Sequence, residues 1–363
     1  SGSSNAATNY RIPCVPKADN KRNCNDRTQG IIKKDIGDQM RVIDSHVHFP
    51  ENKIIDDGTA ILENSNKGIG YTSGRTQTQK GPGFASKKNQ AWLSSEKNRW
   101  ESAWQFPEAQ DVSASEGEIY WAKELDIYNF LKGIVFVTAG SNKFVAELVA
   151  RHPGKFYGYA HHNPLLPDAA ERLEKAIKEQ GLRGYKILGP RVDTPLCNKA
   201  FDPIWEVAQT YEIPILIHFG IMGAAGGIAS HVNINPLAIH DVAKRFPDVP
   251  FIVPHFGTGY LFEILNLCWA CPNIYIDTSG SNQWMRWMPY DVTLDSLFRK
   301  FRETIGASRI IFGTDSSWFP RGFTLDYLKA QNRSMTVVGY SEDEKDMIFY
   351  RNIAYLLRID ELE

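Results

Sequence analysis

Two histidines, His46 and His48, stand one residue apart at the end of a short apolar stretch. Alternate residues of an extended strand point to the same side, so both imidazoles could reach one metal ion. Imidazole nitrogen is a common ligand of zinc and other divalent metals. On spacing alone the pair also fits an ordinary surface position on a strand. The metal interpretation therefore depends on whether other segments supply further ligands.

Short apolar segments alternate with amphipathic segments over most of the chain, which is the pattern of β/α units. Strands are predicted over 42–48, 133–138, 156–161, 184–188, 214–218, 250–255, 273–277 and 309–315. Helices are predicted over 116–130, 142–151, 167–180, 202–211, 236–246, 260–270 and 294–305. Almost wholly apolar strands indicate a parallel sheet covered on both faces. Eight such units in one chain favour an α/β fold of the (β/α)8 TIM barrel type.

One interval breaks this rhythm, because a long insertion over about 52–118 follows the first strand. Its first part is irregular, and 89–106 is a plausible helix with Trp92, Trp100 and Trp104. A loop after a barrel strand emerges at the catalytic face, so a lid is preferred over a surface excursion pinned by tryptophans. Residues 1–40 are interpreted as an N-terminal extension that starts with a cloning remnant, because no initiator methionine is present. The barrel domain then spans 41–363.

Composition limits the classes of function. The chain has 363 residues, 42% hydrophobic content and a formal net charge of -1. This charge balance creates no general field for nucleic acid or an anionic membrane, and no apolar run is long enough to span a bilayer. Five cysteines are too few for a disulfide framework, which suggests a cytoplasmic location. Cys14 and Cys24 are interpreted as loop thiols, although a bridge or a metal site is the alternative, and Cys268 and Cys271 as buried structural thiols rather than a redox pair.

Further metal-ligating or proton-transferring groups end the predicted strands. They are His46 and His48 on the first strand, His218 on the fifth, His255 on the sixth and Asp315 on the eighth. The carboxyl ends of all strands of a parallel barrel meet at one mouth, so these residues converge. Five such groups on one rim would be costly to desolvate without a shared partner. The pattern therefore predicts a metal site that carries catalysis.

This set of residues, with Gly313-Thr314-Asp315 and a terminal helix over 350–357, resembles the amidohydrolase superfamily. The branch that it resembles is the amidohydrolase-related metal-dependent hydrolases, which include aminocarboxymuconate semialdehyde decarboxylase and the resorcylate decarboxylases. The resemblance runs from about residue 40 to the end and leaves the 52–118 insertion outside.

The resemblance implies a single divalent metal, usually zinc with manganese as the alternative, and a water that completes its shell. Its ligands would be His46, His48, His218 and Asp315. His255 would act as an acid or base or orient the water, and Asp315 would also accept a proton. Homo-oligomers are frequent in this branch, so one is expected here by resemblance.

Lys186 bears on the number of metals. In binuclear members of the superfamily, a carbamylated lysine that ends the fourth strand bridges two metals, and Lys186 lies on the predicted fourth strand. In the branch resembled, a lysine here leaves the site mononuclear. A substrate anchor or strand-end cation is therefore preferred for Lys186, and a second metal with a carbamate is disfavoured.

Other side chains on the loops after the strands are candidates for contact with a small-molecule substrate. Arg191, Arg286 and Arg321 could each clamp a carboxylate, with an ordinary surface arginine as the alternative for each. Trp284 and Trp318 suggest an aromatic-walled pocket. His161 and His162 close the third strand, where one imidazole could face the mouth while the other points away, and support of the metal ligands is expected.

Two reactions suit the predicted site. In hydrolysis, a metal-activated water attacks an ester, lactone or amide. In nonoxidative decarboxylation, a carboxylated ring or enol is protonated as carbon dioxide leaves. Hydrolysis is preferred because it is the broader activity of the superfamily, which is an analogy. A noncatalytic, metal-stabilised binding barrel is the hypothesis of another class, and the presence of His255 and Asp315 argues against it.

Overall fold

Eight parallel strands form the centre of the fold. The computed structural model describes residues 40–49, 95, 106–138, 141–220 and 231–359. The strands are β1 (Val42–His48), β2 (Leu131–Thr138), β3 (Phe156–Gly158), β4 (Tyr185–Leu188), β5 (Ile215–His218), β6 (Phe251–Val253), β7 (Ile274–Asp277) and β8 (Ile310–Ile311). Each strand overlaps a segment that was predicted from its apolar run.

Helices separate the strands. They are α1 (Ala114–Ile127), α2 (Asn142–Arg151), α3 (Ala169–Lys178), α4 (Asp202–Tyr211), α5 (His240–Arg245), α6 (Leu261–Ala270), α7 (Leu294–Ile305), α8 (Leu325–Val338), α9 (Glu342–Asp346) and α10 (Asn352–Leu356). The start of α1 is fixed by a capping box, in which Ser113 and Glu116 each accept a hydrogen bond from the other's backbone amide. The helices α8 and α9 were not predicted from the sequence.

Consecutive strands pair in parallel in two runs, from β1 to β3 and from β4 to β8. Backbone hydrogen bonds join the two runs at both seams. At one seam the Lys186 amide donates to the Ala160 carbonyl at 2.8 Å, and at the other the His48 amide donates to the Ser316 carbonyl at 2.8 Å. Each strand is followed by a helix on the outside of this ring. The predicted (β/α)8 barrel is confirmed.

Apolar packing closes the barrel near the amino-terminal ends of the strands. Side chains from β1, β2, β5, β6 and β8 pack there against the C-terminal segment, including Ile353 and Leu357. The Asn352 side chain donates to the backbone carbonyls of Ala307 and Ile310 at 2.8 and 2.7 Å. This end of the barrel is held by hydrophobic burial and one capping amide.

Three strands end earlier than predicted. The ladder stops at Gly158 in β3, at Val253 in β6 and at Ile311 in β8. In two of these segments the chain turns sharply, because His255 and Asp315 have φ angles of 57° and 56°, which no strand accommodates. The predicted strand ends at these two positions are therefore turns that lie over the mouth.

Most of the predicted insertion, including its three tryptophans, lies outside the described residues, as do Cys14 and Cys24. Its last part contacts the segment after β8: the Gln110 amide donates to the Phe319 carbonyl at 2.9 Å, and Trp318 Nε1 donates to the Pro107 carbonyl at 3.2 Å. The lid role and the division at residue 40 stay predictions.

Cys268 and Cys271 are buried and unpaired. Burial raises the pKa of the Cys268 thiol to about 12, which makes it a poor nucleophile at neutral pH. This environment fits the predicted structural thiols. Among the described helices, none has the length and apolar character needed to cross a membrane.

Candidate metal centre

His46 is the most deeply buried member of the cluster at the barrel mouth. Its Nδ1 lies 2.5 Å from Asp277 Oδ2, and both side chains are fully buried. Because the carboxylate accepts this hydrogen bond, Nδ1 carries the proton and Nε2 keeps its lone pair. Burial and the nearby Lys186 hold the pKa of His46 well below its usual range, so the ring is neutral. A neutral imidazole with Nε2 free is the form that binds a metal.

His48 and Asp315 complete the cluster. His48 Nε2 lies 3.1 Å from Asp315 Oδ1, and His46 Nε2 lies 3.6 Å from the same oxygen. On its other side, His48 Nδ1 is hydrogen-bonded to Thr138 Oγ1 at the end of β2. One ligand atom from each of His46, His48 and Asp315 lies within 4.8 Å of the others. Two imidazoles and a carboxylate at this spacing form a site for a divalent metal.

Charge keeps the Asp315 carboxylate ionised. Burial works to raise the pKa of Asp315, but the charge of His255 and the hydrogen bond from His48 outweigh it and hold the pKa well below its usual range. An ionised carboxylate is a strong ligand and a proton acceptor. It is a poor proton donor.

His218 lies beside this cluster but is not one of its three close members. Its ring centre is 5.1 Å from that of His255, which in turn is 5.3 Å from that of His46. His218 Nε2 is buried without a hydrogen-bond partner in the described part of the chain. An orphaned buried nitrogen is uncommon, and a bound cation would satisfy it. The predicted role of His218 as a fourth ligand stays a prediction that this orphaned atom supports.

His255 has a fixed tautomer when neutral. Its Nδ1 lies 3.0 Å from the carbonyl oxygen of Ser279, which can only accept, so Nδ1 donates. Ser279 Oγ also lies 3.1 Å from His255 Nδ1 and 3.2 Å from His46 Nδ1. The atom of His255 that remains for proton exchange is therefore Nε2.

Lys186 lies inside the cluster rather than on its rim. The side chain is 1% exposed, and Nζ lies 3.5 Å from His46 Nε2. Burial lowers the pKa of Lys186 to about 7, although Asp315 and Asp277 work in the opposite direction. An amine that loses its proton near neutrality does not repel a nearby cation.

Asp44, two residues before His46 on β1, was given no role by sequence reasoning. Its carboxylate is fully buried and accepts hydrogen bonds from the Thr314 amide at 2.8 Å and from Thr314 Oγ1 at 2.6 Å. Burial raises the pKa of Asp44 to about 7, against the effect of the Thr314 hydrogen bonds. Asp44 thus holds Thr314, the residue that precedes Asp315 in the segment after β8.

Three further residues were missed by sequence reasoning, namely Thr138, Asp277 and Ser279. Asp277 ends the apolar strand β7 just as His218 ends β5, so its position was a usable signal. Burial raises the pKa of Asp277 to about 6, and its other oxygen accepts from the Ser279 amide at 2.6 Å. Thr138 and Ser279 gave no signal, because their roles depend on contacts between strands.

The backbone is strained where it presents two of these groups. His255 and Asp315 both lie in the left-handed region, which is uncommon for residues other than glycine, asparagine and aspartate. Gly280 gives them room, since a Cβ there would lie 3.2 Å from His255 Nδ1 and 3.4 Å from Asp315 Oδ2. Gly313 is closer still, because its Cβ would lie 2.8 Å from the Cβ of His46.

The two predicted supporting histidines lie at the seam after β3. His161 Nδ1 donates to the Lys186 carbonyl at 3.0 Å, so it contacts the strand that carries Lys186. His162 Nε2 donates to the Ala169 carbonyl at 2.9 Å, and its Nδ1 accepts from Asn142. Burial lowers the pKa of His161 to about 3 and of His162 to about 4. His162 thus contacts α2 and α3, and support of the metal ligands by His161 and His162 stays a prediction.

The predicted substrate-binding residues differ in their surroundings. Arg191 is half-buried in the turn after β4 and adds to the lowering of the pKa of His161. Trp284 is 1% exposed and donates through Nε1 to Asn282 Oδ1, and Arg286 in the same turn is exposed. Trp318 and Arg321 contact each other on the loop after β8, with the guanidinium 4.5 Å from the indole centre. Their roles toward a substrate stay predictions.

Solved structures share this barrel. An uncharacterised TIM-barrel protein from Bordetella bronchiseptica matches with a TM-score of 0.55 and 19% identity, over 88% of this chain and 99% of its own. A dihydroxybenzoic acid decarboxylase from Polaromonas sp. JS666, solved with manganese and the inhibitor 2-nitroresorcinol, matches with a TM-score of 0.51 and 16% identity, over 88% of this chain and 97% of its own. At these identities the likeness concerns the fold.

A curated relative and a family model match the sequence itself. The chain is 24% identical over 219 residues to a Gamma-resorcylate decarboxylase of Polaromonas sp. strain JS666. The match covers 48% of this chain and 64% of the relative, so the chain spans less than two thirds of that protein's length. The family model described as Amidohydrolase matches residues 43–359, which include every member of the metal cluster. The chain therefore belongs to the amidohydrolase family and is an enzyme of that superfamily with a divalent metal site.

Proposed function

We propose that this protein is a metal-dependent, nonoxidative decarboxylase of small aromatic acids. The observation that carries the proposal is the cluster of His46, His48 and Asp315 at the barrel mouth, in a chain whose curated relative is named Gamma-resorcylate decarboxylase. The sequence alone favoured hydrolysis and gave decarboxylation second place. Two of the similar proteins support decarboxylation instead, because they are named as decarboxylases of aromatic acids.

The residues at the mouth fit one divalent cation. His46, His48 and Asp315 would hold it, and the orphaned Nε2 of His218 supports that residue as a fourth ligand. The mixture of imidazole and carboxylate suits zinc, while the presence of manganese in a structural neighbour supports manganese. A bound divalent ion would attract the oxygen atoms of a hydroxy acid and withdraw negative charge from them.

The reaction needs a proton donor near the ring carbon. Loss of carbon dioxide leaves the electron pair of the broken carbon–carbon bond on that carbon, and a proton must then form the new carbon–hydrogen bond. Asp315 is ionised and suits a ligand or acceptor role. His255 suits the donor role in its doubly protonated form, because Ser279 holds the proton on Nδ1 and the proton on Nε2 is the one that can be transferred to the ring carbon, which leaves the neutral imidazole.

The same geometry also suits hydrolysis, in which Asp315 would accept a proton from the attacking water. This second candidate rests on the low pKa of Asp315 and on membership of the family. It differs from decarboxylation in needing a proton acceptor rather than a donor at the first step.

The test is product analysis on the full chain after reconstitution with zinc or manganese. We expect stoichiometric carbon dioxide and the corresponding phenol from a panel of hydroxybenzoates such as 2,6-dihydroxybenzoate, and no product from the chelator-treated protein. His255→Ala should retain the metal and lose turnover. Hydrolysis of esters or lactones in a matched panel, without release of carbon dioxide from any acid, would overturn the proposal in favour of the second candidate.

A further inference from the structure

The guanidinium of Arg321, on the loop after β8, lies among three aromatic rings from different parts of the chain. Its Cζ is 4.5 Å from the ring centres of Phe106 and Trp318 and 5.5 Å from that of Tyr327. Guanidinium groups stack favourably on aromatic faces, and the stacking limits their motion. The rings therefore hold a positive charge in one place. The enclosure of Arg321 by Phe106, Trp318 and Tyr327 is called the aromatic cage below.

Arg321 has more N–H donors than its two hydrogen bonds in the described structure use. A guanidinium has five N–H donors, and here Nε donates to Thr324 Oγ1 and Nη2 to the Thr314 carbonyl, both at 3.1 Å. Both acceptors are neutral. Within the residues that the structure describes, no carboxylate forms an ion pair with Arg321. An uncompensated cation with free donors is suited to an anionic ligand.

The aromatic cage adjoins the metal cluster. Thr314, which accepts from Arg321, immediately precedes Asp315 and is fixed by Asp44. The ring of Tyr327 is close enough to both Arg321 and Asp315 for each to affect its pKa, which burial raises. The guanidinium is thus hydrogen-bonded to the residue next to the metal ligand Asp315. A small molecule bound at the metal cluster could therefore also reach Arg321.

The other arginines predicted for this role have weaker support. Arg286 is exposed on the turn after β7, where water screens its charge. The positive charge of Arg191 helps to lower the pKa of His161, at the seam after β3. Arg321 donates to the Thr314 carbonyl, in the segment that carries the metal ligand Asp315.

We propose that Arg321 binds the carboxylate of the substrate and selects aromatic acids over the corresponding phenols. This inference rests on the proposed function. A contact with the reacting carboxylate is strongest before the reaction, because carbon dioxide leaves without charge. Such a contact stabilises the bound substrate at least as much as the transition state, so its loss raises KM and does not lower kcat.

The experiment compares the full, metal-loaded chain with Arg321→Met and Arg321→Lys. Calorimetric titration with 2,6-dihydroxybenzoate and with resorcinol, which differ only in the carboxylate, measures the selectivity. We expect Arg321→Met to bind the acid roughly 10- to 100-fold more weakly and resorcinol within about 2-fold of the original chain. The affinity of Arg321→Lys for the acid should lie between those of the other two proteins, because an ammonium group keeps the charge but cannot form the paired hydrogen bonds of a guanidinium. Arg299→Met, on the exposed side of α7, is the matched control. It should change neither the affinity for the acid nor the affinity for resorcinol.

Metal content, measured on the same samples, should stay constant across the four proteins. Equal weakening of the acid and of resorcinol, unchanged binding of the acid, or a fall in kcat with an unchanged KM would each overturn the inference. Arg321-dependent binding of the acid without release of carbon dioxide would instead refute the proposed decarboxylation and retain Arg321 as a carboxylate site. Failure of the original chain to bind the acid would overturn the inference.

Discussion

The two ends of the barrel are built on opposite principles. At the carboxyl ends of the strands, His46, Asp277 and Lys186 are almost wholly buried, and each has a specific polar partner within 3.5 Å. At the amino-terminal ends, apolar side chains such as Ile353 and Leu357 fill the same cross-section. Burying ionisable groups costs free energy, whereas burying apolar groups supplies it. The comparison indicates that the apolar end stabilises the fold and the polar end uses part of that stability for binding.

The pKa values at the mouth support this view. Burial shifts His46 and His218 toward the neutral imidazole, Lys186 toward the neutral amine, and Asp44 and Asp277 toward the neutral acid. Asp315 is the exception, because neighbouring histidines keep it ionised. A divalent cation would add the charge that the cluster lacks and would satisfy several of these groups at once.

The largest effect should follow removal of the Asp315 carboxylate. We expect Asp315→Ala to lose the metal and to lower the rate of the metal-dependent reaction roughly 1000-fold or more, since the metal contributes several kcal/mol of transition-state stabilisation. The metal-free variant should unfold at a lower temperature than the metal-free original chain, because it loses the contacts of Asp315 with His46 and His48 and because alanine tolerates a positive φ less well than aspartate. Metal analysis and calorimetry check both parts. A variant that keeps its metal would remove Asp315 from the set of ligands.

A substitution at the apolar end of the barrel should lower stability and leave metal affinity unchanged. Ile353 is fully buried in the apolar cluster, and Ile353→Ala should lower the free energy of unfolding by about 2 to 4 kcal/mol. Metal affinity should stay within about 2-fold, because the cavity forms at the far end of the strands. Denaturant unfolding and metal titration of the same variant separate the two quantities. A fall in metal affinity as large as the loss of stability would show that the two ends are coupled.

A third region, around Glu124, tests whether the free-energy cost of burying ionisable groups is confined to the barrel mouth. Glu124 on α1 is half-buried and accepts a hydrogen bond from the Phe323 amide at 3.3 Å, and this burial raises its pKa from 4.5 to about 7. The raised pKa means that the folded protein holds the proton more tightly than the unfolded chain. Stability from this group is therefore complete below pH 4.5 and is lost as the pH rises through about 7.

Glu124→Gln removes this dependence and keeps the acceptor for the Phe323 amide. The difference in unfolding free energy between the variant and the original chain should be near zero at pH 4.5 and should reach about 3 kcal/mol in favour of the variant above pH 7. Denaturant unfolding at several pH values measures it, and metal content should not change. A difference that is constant with pH would show that Glu124 does not titrate as inferred.

The sequence predicted most of the framework and part of the site. Apolar runs located all eight strands, and the meeting of parallel strand ends brought His46, His48 and Asp315 together correctly. The early ends of β6 and β8 were not predictable, because they depend on the left-handed backbone at His255 and Asp315. Glycine signals such turns in a sequence, and histidine does not.

The residues that orient the ligands were harder to predict. Asp277 contacts His46 only because β7 lies two strands from β1, on the other side of β8, and Thr138 contacts His48 only through the register of β1 on β2. That register shifts between Asp44 and Val47, next to His46, and sequence patterns do not reveal such irregularities. Which residues end a strand can be predicted, whereas which of them touch needs the structure.

The smallest of the predicted effects concerns Asp277, which binds no metal itself. Its two oxygens accept from His46 Nδ1 and from the Ser279 amide, so Asp277→Asn must turn its NH2 group toward one of these donors. If it faces His46, the imidazole changes tautomer and presents N–H where the metal needs a lone pair. We expect metal affinity to fall roughly 10- to 100-fold, with much of the activity recovered at high metal concentration. Competitive titration with a chromophoric chelator measures the affinity. Asp295→Asn on α7, which loses a carboxylate that accepts from Ser334 away from the metal cluster, is the matched control and should keep full affinity. Affinity within about 2-fold of the original chain in Asp277→Asn would show that His46 holds its tautomer through Ser279 Oγ, and the polar end would then be less dependent on buried charge than the comparison of the two ends suggests.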